Sequence, residues 1–262
     1  MRAAVLHETG SPLALEDVPE PEAGEGQSIV DVKAAGINFA DVLIRSGQYP
    51  QPPELPTVLG NEVAGDLDGR RVVAFARQTG GGYAERVAVD DDWVFDLPAS
   101  ASYAEGAAFL TTYLTAWIPL FRQARIHNES NVLVTAAGGG VGTAAIQIAV
   151  MAGANVTAAA GSEEKLALAR ELGATRTVTY DEIGDLDDID VALDPVGGPV
   201  FAACLKTLQP LGSAIAIGFA GGAWEPVDPA RLVGRNNPVA GFYLSRQMGF
   251  RPDLVREEIH EL

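Results

Sequence analysis

Residues 131–162 form an unbroken stretch without a charged side chain, built around a run of glycines. The β-branched run at 131–135 predicts a strand, the small and apolar residues 143–151 predict a helix, and residues 155–160 predict a second strand. This order of elements places the N-terminus of the helix at the carboxyl edge of a parallel sheet. Free backbone amides and the positive end of the helix dipole suit a pyrophosphate at that position.

The glycine turn fits the dinucleotide-binding spacing Gly-x-Gly-x-x-Gly, with alanine in the first glycine position. We expect Gly139 to let the phosphates approach and Gly142 to let helix and strand pack closely. A second interpretation is that these glycines serve packing alone, as in sheets that bind no phosphate. The predicted cofactor-binding residues of the turn are Ala137, Gly139, Gly140, Val141 and Gly142.

The end of the second strand indicates which dinucleotide is bound. A carboxylate there would hold the ribose of NAD, but the strand ends in Ala-Ala-Gly-Ser. Ser162, Lys165 and Tyr180 are polar groups suited to a 2′-phosphate, which favours NADPH. The alternative is that Ser162 is only a helix cap and Lys165 a partner of Glu163 and Glu164.

The rest of the C-terminal half alternates strands and helices, which predicts a doubly wound α/β sheet. Strands are expected at 176–179, 189–193, 213–217 and 238–244, and a helix from Pro199 to Leu208. The loops at 194–198 and 218–222 would lie at the carboxyl edge, which adds Gly218 to the cofactor site. The last strand is expected at the sheet edge, where residues 239–244 would pair with a second subunit in a homodimer.

The first hundred residues have a different pattern. Short alternating runs separated by Gly, Pro and acidic turns predict a compact antiparallel barrel. A helical segment capped by Asn38 follows the third run, and an apolar helix or helix pair at 101–121 joins the two halves. The predicted strands cover residues 3–6, 13–18, 28–35, 72–76, 83–89 and 93–97.

Several separate motifs resemble one known family, the zinc-free, zeta-crystallin-like quinone oxidoreductases of the medium-chain dehydrogenase/reductase superfamily. The resemblance implies a GroES-like β-barrel domain at 1–103, a Rossmann NADPH-binding domain at 104–245 and a tail at 246–262 that lacks the usual return to the barrel. The connection between Gly65 and Val72 is shorter than in relatives, which implies an abbreviated barrel. The motifs lie at 35–41, 45–50, 60–65, 81–85, 114–117, 137–142 and 241–244.

The resemblance also implies roles for particular residues. Asn38, Tyr49 and Thr115 match catalytic positions, and Phe242 and Leu244 match cofactor-binding positions. Each catalytic candidate has a structural alternative: Asn38 as a helix cap, Tyr49 as a half-exposed loop aromatic, and Thr115 as a helix residue bonded to its own backbone.

Three further residues are interpreted as structural. Asp41 and Arg45 lie four residues apart and are expected to form an exposed ion pair. The sole cysteine, Cys204, is expected to be a buried thiol. Zinc-dependent relatives carry His where this chain has Asn61, so no bound zinc is expected.

The expected function is NADPH-dependent hydride transfer to a quinone or a related activated carbonyl, with solvent as a candidate proton source. An enoyl or alkenal reductase is an alternative enzyme with nearly the same motifs. A non-catalytic NADPH-binding module, structural or redox-sensing, is the alternative from another class.

Composition sets the outer limits. Eighteen basic and thirty-five acidic residues give a net charge of −17, which disfavours nucleic acid and anionic membranes as partners. The apolar run at the start is too short for a signal peptide, and a single cysteine fits the reducing cytoplasm. A membrane span at 131–162 is disfavoured because glycines and polar residues interrupt it.

Overall fold

The computed structural model describes residues 1–76 and 81–262, and its internal contacts divide the chain into two compact units, Met1–Thr111 and Thr112–Leu262. The division falls inside the apolar segment at 101–121 that was expected to connect the two halves. Each unit is described by itself below.

The first unit is built mainly from antiparallel strands. The strands are β1 (Arg2–Leu6), β2 (Ala14–Asp17), β3 (Gln27–Ala35), β4 (Thr57–Val58), β5 (Glu62–Leu67), β6 (Arg70–Phe75), β7 (Arg86–Asp90) and β8 (Val94–Asp96). In one sheet β1 lies between β2 and β4, and in the larger sheet β3, β5 and β6 form the centre. The core of the larger sheet consists of β-branched and small side chains such as Val30, Val63 and Val72.

Strand β5 was not predicted as a strand. It pairs with β3 on one side and with β6 on the other, so sheet pairing fixes its conformation although its sequence shows no clear alternation. A two-residue turn at Asp68 and Gly69 joins β5 to β6, and both residues have positive φ, 50° and 82°. This hairpin turn explains how the short connection after Gly65 closes.

Two helices of the first unit flank these sheets. Helix α1 (Phe39–Ser46) follows Asn38 and ends at Gly47, whose φ of 74° gives a left-handed C-cap. Helix α2 (Tyr103–Ala107) begins with a capping box between Ser102 and Glu105. Helix α3 (Leu110–Ile118) follows and continues into a π-helical turn, so residues 101–121 form a helix pair as one of the two expected forms.

The second unit is a parallel sheet with helices between its strands. The elements are β9 (Asn131–Val134), α4 (Gly140–Met151), β10 (Asn155–Ala159), α5 (Glu163–Glu171), β11 (Arg176–Val178), β12 (Ile189–Asp194), α6 (Gly198–Thr207), β13 (Leu208–Ala216), α7 (Pro229–Arg235), β14 (Val239–Gly241), α8 (Leu244–Phe250) and α9 (Pro252–Glu261). The strands lie in the order β11-β10-β9-β12-β13-β14, with every neighbouring pair parallel, which is the predicted doubly wound arrangement.

The predicted sixth strand was too long. Strand β14 ends at Gly241, and Leu244 already begins α8. The Phe242 amide still donates to the Ala216 carbonyl at 3.0 Å, after which the chain leaves the sheet. β14 is an edge strand as expected, and its pairing with a second subunit remains a prediction.

Helix α9 is held to the second unit by a buried carboxylate. Glu258 is 2% exposed and accepts a hydrogen bond from the Trp117 indole at 2.6 Å and another from the Arg122 guanidinium. A buried charge is stable only when it is paired and hydrogen-bonded, so this contact fixes the register of α9.

Candidate functional site

The glycine turn between β9 and α4 has little room for side chains. A Cβ at Gly142 would lie 2.2 Å from the Ala136 carbonyl oxygen, and one at Gly139 would lie 3.2 Å from the same atom. Gly142 therefore permits the close approach of helix and turn that the sequence predicts. Ala137, at the first glycine position of the pattern, is fully buried, so its methyl group is packed inside the protein.

The start of α4 presents backbone donors. The Thr143 amide is bonded within the helix to the Gly139 carbonyl at 2.8 Å. Helix geometry leaves the preceding amides of Gly140, Val141 and Gly142 without partners inside the helix. These amides and the helix dipole provide an anion-binding position, and the narrow turn lets an extended diphosphate reach them.

Lys165 lies against this turn. A Cβ at Gly138 would lie 2.5 Å from Lys165 Cγ, so the aliphatic part of the lysine passes over the glycine. Within residues 1–76 and 81–262, Lys165 forms no ion pair, whereas Glu163 pairs with Arg170. The alternative, in which Lys165 pairs with Glu163 and Glu164, is therefore not supported, and the contact of this exposed side chain with a ligand phosphate remains a prediction.

Ser162 and Tyr180 border the same turn. Ser162 precedes α5 but makes no capping hydrogen bond with its side chain, so the interpretation of Ser162 as only a cap is not supported. The half-buried Tyr180 ring lies 3.6 Å from the Cβ position of Gly161, and burial raises the pKa of its phenol. The structure thus brings Ser162, Lys165 and Tyr180 to one edge of the sheet, beside α4.

A buried carboxylate, Asp194, joins the end of β12 to the glycine turn. It is fully buried and accepts hydrogen bonds from the Gly197 amide at 2.7 Å, the Val196 amide at 3.2 Å and the Thr135 hydroxyl. Burial raises the pKa of Asp194 despite these hydrogen bonds. Sequence analysis located the loop but missed the role of Asp194, and the available signal was an acidic residue that ends an apolar strand.

The two predicted loops at the carboxyl edge contact each other. The Ala220 amide donates to the Pro195 carbonyl at 3.0 Å, and the Gly221 amide donates to the Val196 carbonyl at 2.8 Å. A Cβ at Gly218 would lie 3.2 Å from the Pro195 oxygen, so Gly218 serves this loop contact.

Phe242 and Leu244 are each 7% exposed. Most of the surface of both residues is therefore covered by the chain itself. Their cofactor-binding role remains a prediction.

The first unit contains a polar cluster around Asn38. The Asn38 side-chain amide donates to Glu62 Oε1 at 2.8 Å and to Asn61 Oδ1 at 3.0 Å. Glu62 is 1% exposed, and burial raises its pKa to about 7 against the lowering effect of its hydrogen bonds from Asn38 and Thr111. Glu62 lies within the motif at 60–65, but the sequence did not indicate that its carboxylate is buried. Its burial follows from its position in the sheet, at the start of β5.

The expected exposed ion pair between Asp41 and Arg45 is wrong. Asp41 is 6% exposed and accepts hydrogen bonds from the Asn38 amide at 2.8 Å and the Tyr83 hydroxyl at 2.9 Å. Arg45 instead donates to the Ser11 carbonyl at 2.9 Å. Burial raises the pKa of Asp41, because its carboxylate faces the interior rather than the surface of α1.

The other two catalytic candidates lie in different units. Tyr49 is half-buried in the first unit and packs against the cluster of Leu6, Ile44 and Leu59. Thr115 lies in α3, in the second unit, and is 8% exposed. Their catalytic roles remain predictions.

Across residues 1–76 and 81–262, no group of three or more His, Cys, Asp or Glu side chains is arranged to hold a metal ion. Cys204 is buried in α6 as expected, and burial raises its thiol pKa well above the ordinary value.

In the same described ranges, no helix has both the length and the apolar character needed to cross a membrane.

Comparison with known proteins places this geometry in a family. Residues 24–99 match the alcohol dehydrogenase GroES-like domain, and residues 140–258 match the family described as zinc-binding dehydrogenase. Over 98% of its length the chain is 34% identical to a quinone oxidoreductase-like protein 2 homolog of Nematostella vectensis, of which it covers 76%. The chain belongs to the quinone oxidoreductase family of the medium-chain dehydrogenase/reductase superfamily.

Other members of the quinone oxidoreductase family are similar to this chain in sequence and in structure. Mouse quinone oxidoreductase is 33% identical, with 94% of this chain and 81% of the relative covered. The structure of Thermus thermophilus quinone oxidoreductase, solved also in complex with NADPH, has a TM-score of 0.91 at 40% identity and covers 98% of this chain and 85% of its own. The predicted fold class is confirmed, and the chain is an oxidoreductase of a family that uses pyridine nucleotides.

Proposed function

We propose that the chain is an NADPH-dependent oxidoreductase that transfers hydride to a quinone or a related activated carbonyl compound. The observation that carries the proposal is the position of Lys165 over Gly138, beside the free amides of α4. A cation at this point, with no carboxylate at the end of β10, matches a coenzyme that carries a 2′-phosphate.

The residues of the glycine turn fit the diphosphate of such a coenzyme. The amides of Gly140, Val141 and Gly142 would bind its oxygens, Lys165 and Ser162 would bind the 2′-phosphate, and Tyr180 would border the adenosine side. The bound coenzyme supplies a hydride from its reduced nicotinamide ring. The chain contributes orientation and an electrostatic environment to that transfer.

An apolar surface beside Asn38 supports a flat, apolar acceptor. Ile37, Phe39 and Val42 are 82%, 50% and 47% exposed. Large exposed apolar side chains grouped in one segment are typical of binding surfaces. A quinone ring would pack against such a surface, while its oxygens require donors from the protein or from solvent.

The acceptor is tested by NADPH oxidation with a small benzoquinone and, separately, with an α,β-unsaturated aldehyde, followed by the absorbance of the reduced nicotinamide. We expect faster oxidation with the quinone. Faster oxidation with the aldehyde would favour an alkenal reductase, and binding of NADPH without oxidation of either acceptor would favour a non-catalytic module. The similarity to proteins named quinone oxidoreductases supports the first outcome.

Coenzyme choice is tested by Lys165→Ala. Removing one partly exposed charge-assisted contact costs about 1–2 kcal/mol, so we expect NADPH binding to weaken about 5- to 30-fold. NADH lacks the 2′-phosphate, and its dissociation constant should change less than about twofold. Titration calorimetry with both coenzymes measures the difference.

Lys206→Ala is the matched control for this experiment. Lys206 lies in α6 of the same unit, is exposed and forms no ion pair among the described residues, so its loss changes net charge equally without touching the turn. Equal weakening of NADPH and NADH in Lys165→Ala, or equal weakening of NADPH in both variants, would contradict the assignment of Lys165.

A further inference from the structure

Asp194 is a buried carboxylate at the end of β12 whose two oxygens are shared by three donors. Its Oδ1 accepts from the Val196 amide at 3.2 Å and from the Thr135 hydroxyl, and its Oδ2 accepts from the Gly197 amide at 2.7 Å. Among the residues that the structure describes, no Lys, Arg or His pairs with Asp194. The carboxylate therefore depends on these neutral donors, and it holds each of them in return.

The loop after β12 has a conformation that few residues can adopt. Gly197 has φ 76° and ψ −165°, a combination that is open almost only to glycine. A Cβ at Gly197 would lie 2.8 Å from the Ala223 carbonyl oxygen and 3.1 Å from the Phe219 Cα, so the chain after β13 packs directly against this peptide. The hydrogen bond from the Gly197 amide to Asp194 fixes the surface on which that chain lies.

The chain after β13 is also hydrogen-bonded to the end of β12. The Ile217 amide donates to the Asp194 carbonyl at 2.9 Å, and two further backbone hydrogen bonds join residues 220–221 to residues 195–196. The backbone and the side chain of Asp194 thus hold both loops. All of these groups belong to the second unit.

Two donors in these loops are left for a ligand. Within residues 1–76 and 81–262, the backbone amides of Gly218 and Phe219 have no hydrogen-bond partner, and both residues are partly exposed. They follow β13 directly, at the carboxyl edge of the sheet. Backbone amides in such a place are satisfied by water or by a ligand.

The strand order places the two loops beside the coenzyme site of the same unit. In the order β10-β9-β12-β13, the glycine turn follows β9, Lys165 follows β10 on one side, and the two loops follow β12 and β13 on the other. Neighbouring strands lie about 4.8 Å apart, so the end of β13 is about 10 Å from that of β9. A coenzyme with its 2′-phosphate at Lys165 and its diphosphate at α4 would extend its nicotinamide half over β12 and β13.

We propose that Asp194 is a positioning residue for the nicotinamide half of the coenzyme. Its carboxylate holds the loops after β12 and β13 in place and joins them, through Thr135, to the glycine turn that meets the diphosphate. Asp194 is fully buried, so it acts through these loops and not by contact with the coenzyme. The proposal rests on the proposed function, since it takes NADPH bound at the start of α4 as the ligand.

The positioning role is tested with NADPH and 2′-phospho-ADP-ribose, a fragment of the coenzyme that lacks the nicotinamide ring. The quantity to compare is the dissociation constant of the fragment divided by that of NADPH, measured by titration calorimetry and called the nicotinamide ratio. We expect a nicotinamide ratio of at least about ten for the wild-type protein. A wild-type ratio near one would overturn the proposal, because the loops would then contribute nothing to binding of the nicotinamide half.

Asp194→Asn removes part of the support of the loop. Asparagine has one acceptor oxygen, so its NH₂ group faces either the Val196 amide or the Gly197 amide, and at least one of these hydrogen bonds is lost. The Thr135 hydroxyl can donate or accept, so either group of asparagine satisfies it. We expect NADPH binding to weaken about tenfold and fragment binding less than about twofold, which lowers the nicotinamide ratio about fivefold. A merely structural role would weaken both ligands alike and leave the ratio unchanged.

Asp190→Asn is the matched control. Asp190 lies near the amino end of the same strand, where it accepts from the Asn131 amide at 2.8 Å and from the Gln209 side-chain amide. The chemical change is the same and also removes an acceptor of a backbone amide, but it lies away from the carboxyl edge. The control should keep the wild-type nicotinamide ratio. An equal fall of the ratio in both variants would overturn the role of Asp194.

Thr135→Val is a second variant that keeps the carboxylate. Valine has the shape of threonine without the hydroxyl, so Asp194 Oδ1 loses one donor and the glycine turn loses its side-chain contact with the loops. We expect the nicotinamide ratio to fall about threefold in Thr135→Val and to stay at the wild-type value in Thr135→Ser, which retains the hydroxyl. Wild-type ratios in both folded variants would overturn the proposal, also where Asp194→Asn does not fold.

The outcomes separate this proposal from the function on which it rests. Circular dichroism establishes that each variant is folded, and the wild-type ratio depends on no variant. A preserved nicotinamide ratio in folded Asp194→Asn would overturn the positioning role while NADPH binding stands. A wild-type protein that binds neither NADPH nor the fragment would overturn the proposed function and this proposal with it.

Discussion

Gly142→Ala is expected to weaken NADPH binding at least about tenfold and to lower the free energy of unfolding by about 1–3 kcal/mol. The new Cβ would lie 2.2 Å from the Ala136 oxygen and 2.8 Å from its carbonyl carbon. These are backbone atoms, so the overlap is relieved only if α4 moves away from the turn. That movement displaces the amides of Gly140, Val141 and Gly142 from the diphosphate, which is why binding and stability should fall together.

Gly249→Ala is the matched control for this substitution. Gly249 lies inside helix α8 of the same unit, and its Cβ position has no atom within 4 Å. Alanine is the better helix former, so this variant should be as stable as the wild type or slightly more stable, with unchanged NADPH affinity. Calorimetric titration and chemical denaturation measure both quantities. Wild-type affinity in Gly142→Ala would show that close packing at the turn does not matter for binding.

Glu62→Gln is expected to change how stability depends on pH. The pKa of Glu62 is about 7 in the folded protein because of burial, against an ordinary value of 4.5. Between these pH values the unfolded chain has lost a proton that the folded chain retains, so stability contributed by Glu62 falls as pH rises. At about 1.4 kcal/mol per pH unit, the loss is about 3 kcal/mol, complete above about pH 7.

The measurement is chemical denaturation of the wild type and Glu62→Gln at several pH values from about 5 to 8, where most of this difference develops. The wild type should lose stability relative to the variant with rising pH. Asp41 is present in both proteins, so its own raised pKa largely cancels from the comparison. Parallel stability curves would show that Glu62 titrates in the folded state near its ordinary value.

The fold of the second unit could be predicted from the sequence because the signals that define its elements are local. The strand, glycine turn, helix and second strand at 131–160 each have a distinct short-range pattern, and the structure places β9, α4 and β10 there. Lys165 and Tyr180 could be placed at one sheet edge because they follow strands whose ends meet there, and their role in binding remains a prediction.

The burial of three carboxylates could not be predicted from local sequence patterns. Asp41, Glu62 and Asp194 are interior groups whose partners come from distant parts of the chain, such as Tyr83 for Asp41 and Thr111 for Glu62. A spacing of four residues suggested a surface ion pair for Asp41, but that pattern does not report which face of a helix is covered. Strand β14 ends at Gly241, before the predicted end at residue 244, because the chain turns there into α8. The sequence pattern did not indicate this turn.

The account rests on the start of α4 as the binding position of a phosphorylated nicotinamide coenzyme. Thermal unfolding of the wild-type protein with and without saturating NADPH tests it most directly. A coenzyme at about 100 times its dissociation constant stabilises the folded state by about 2.7 kcal/mol, which raises the melting temperature by about 5–10 °C in a chain of this size. We expect a rise of this order, and a rise at most about half as large in Gly142→Ala at the same NADPH concentration. An unchanged melting temperature in folded wild-type protein would contradict the account.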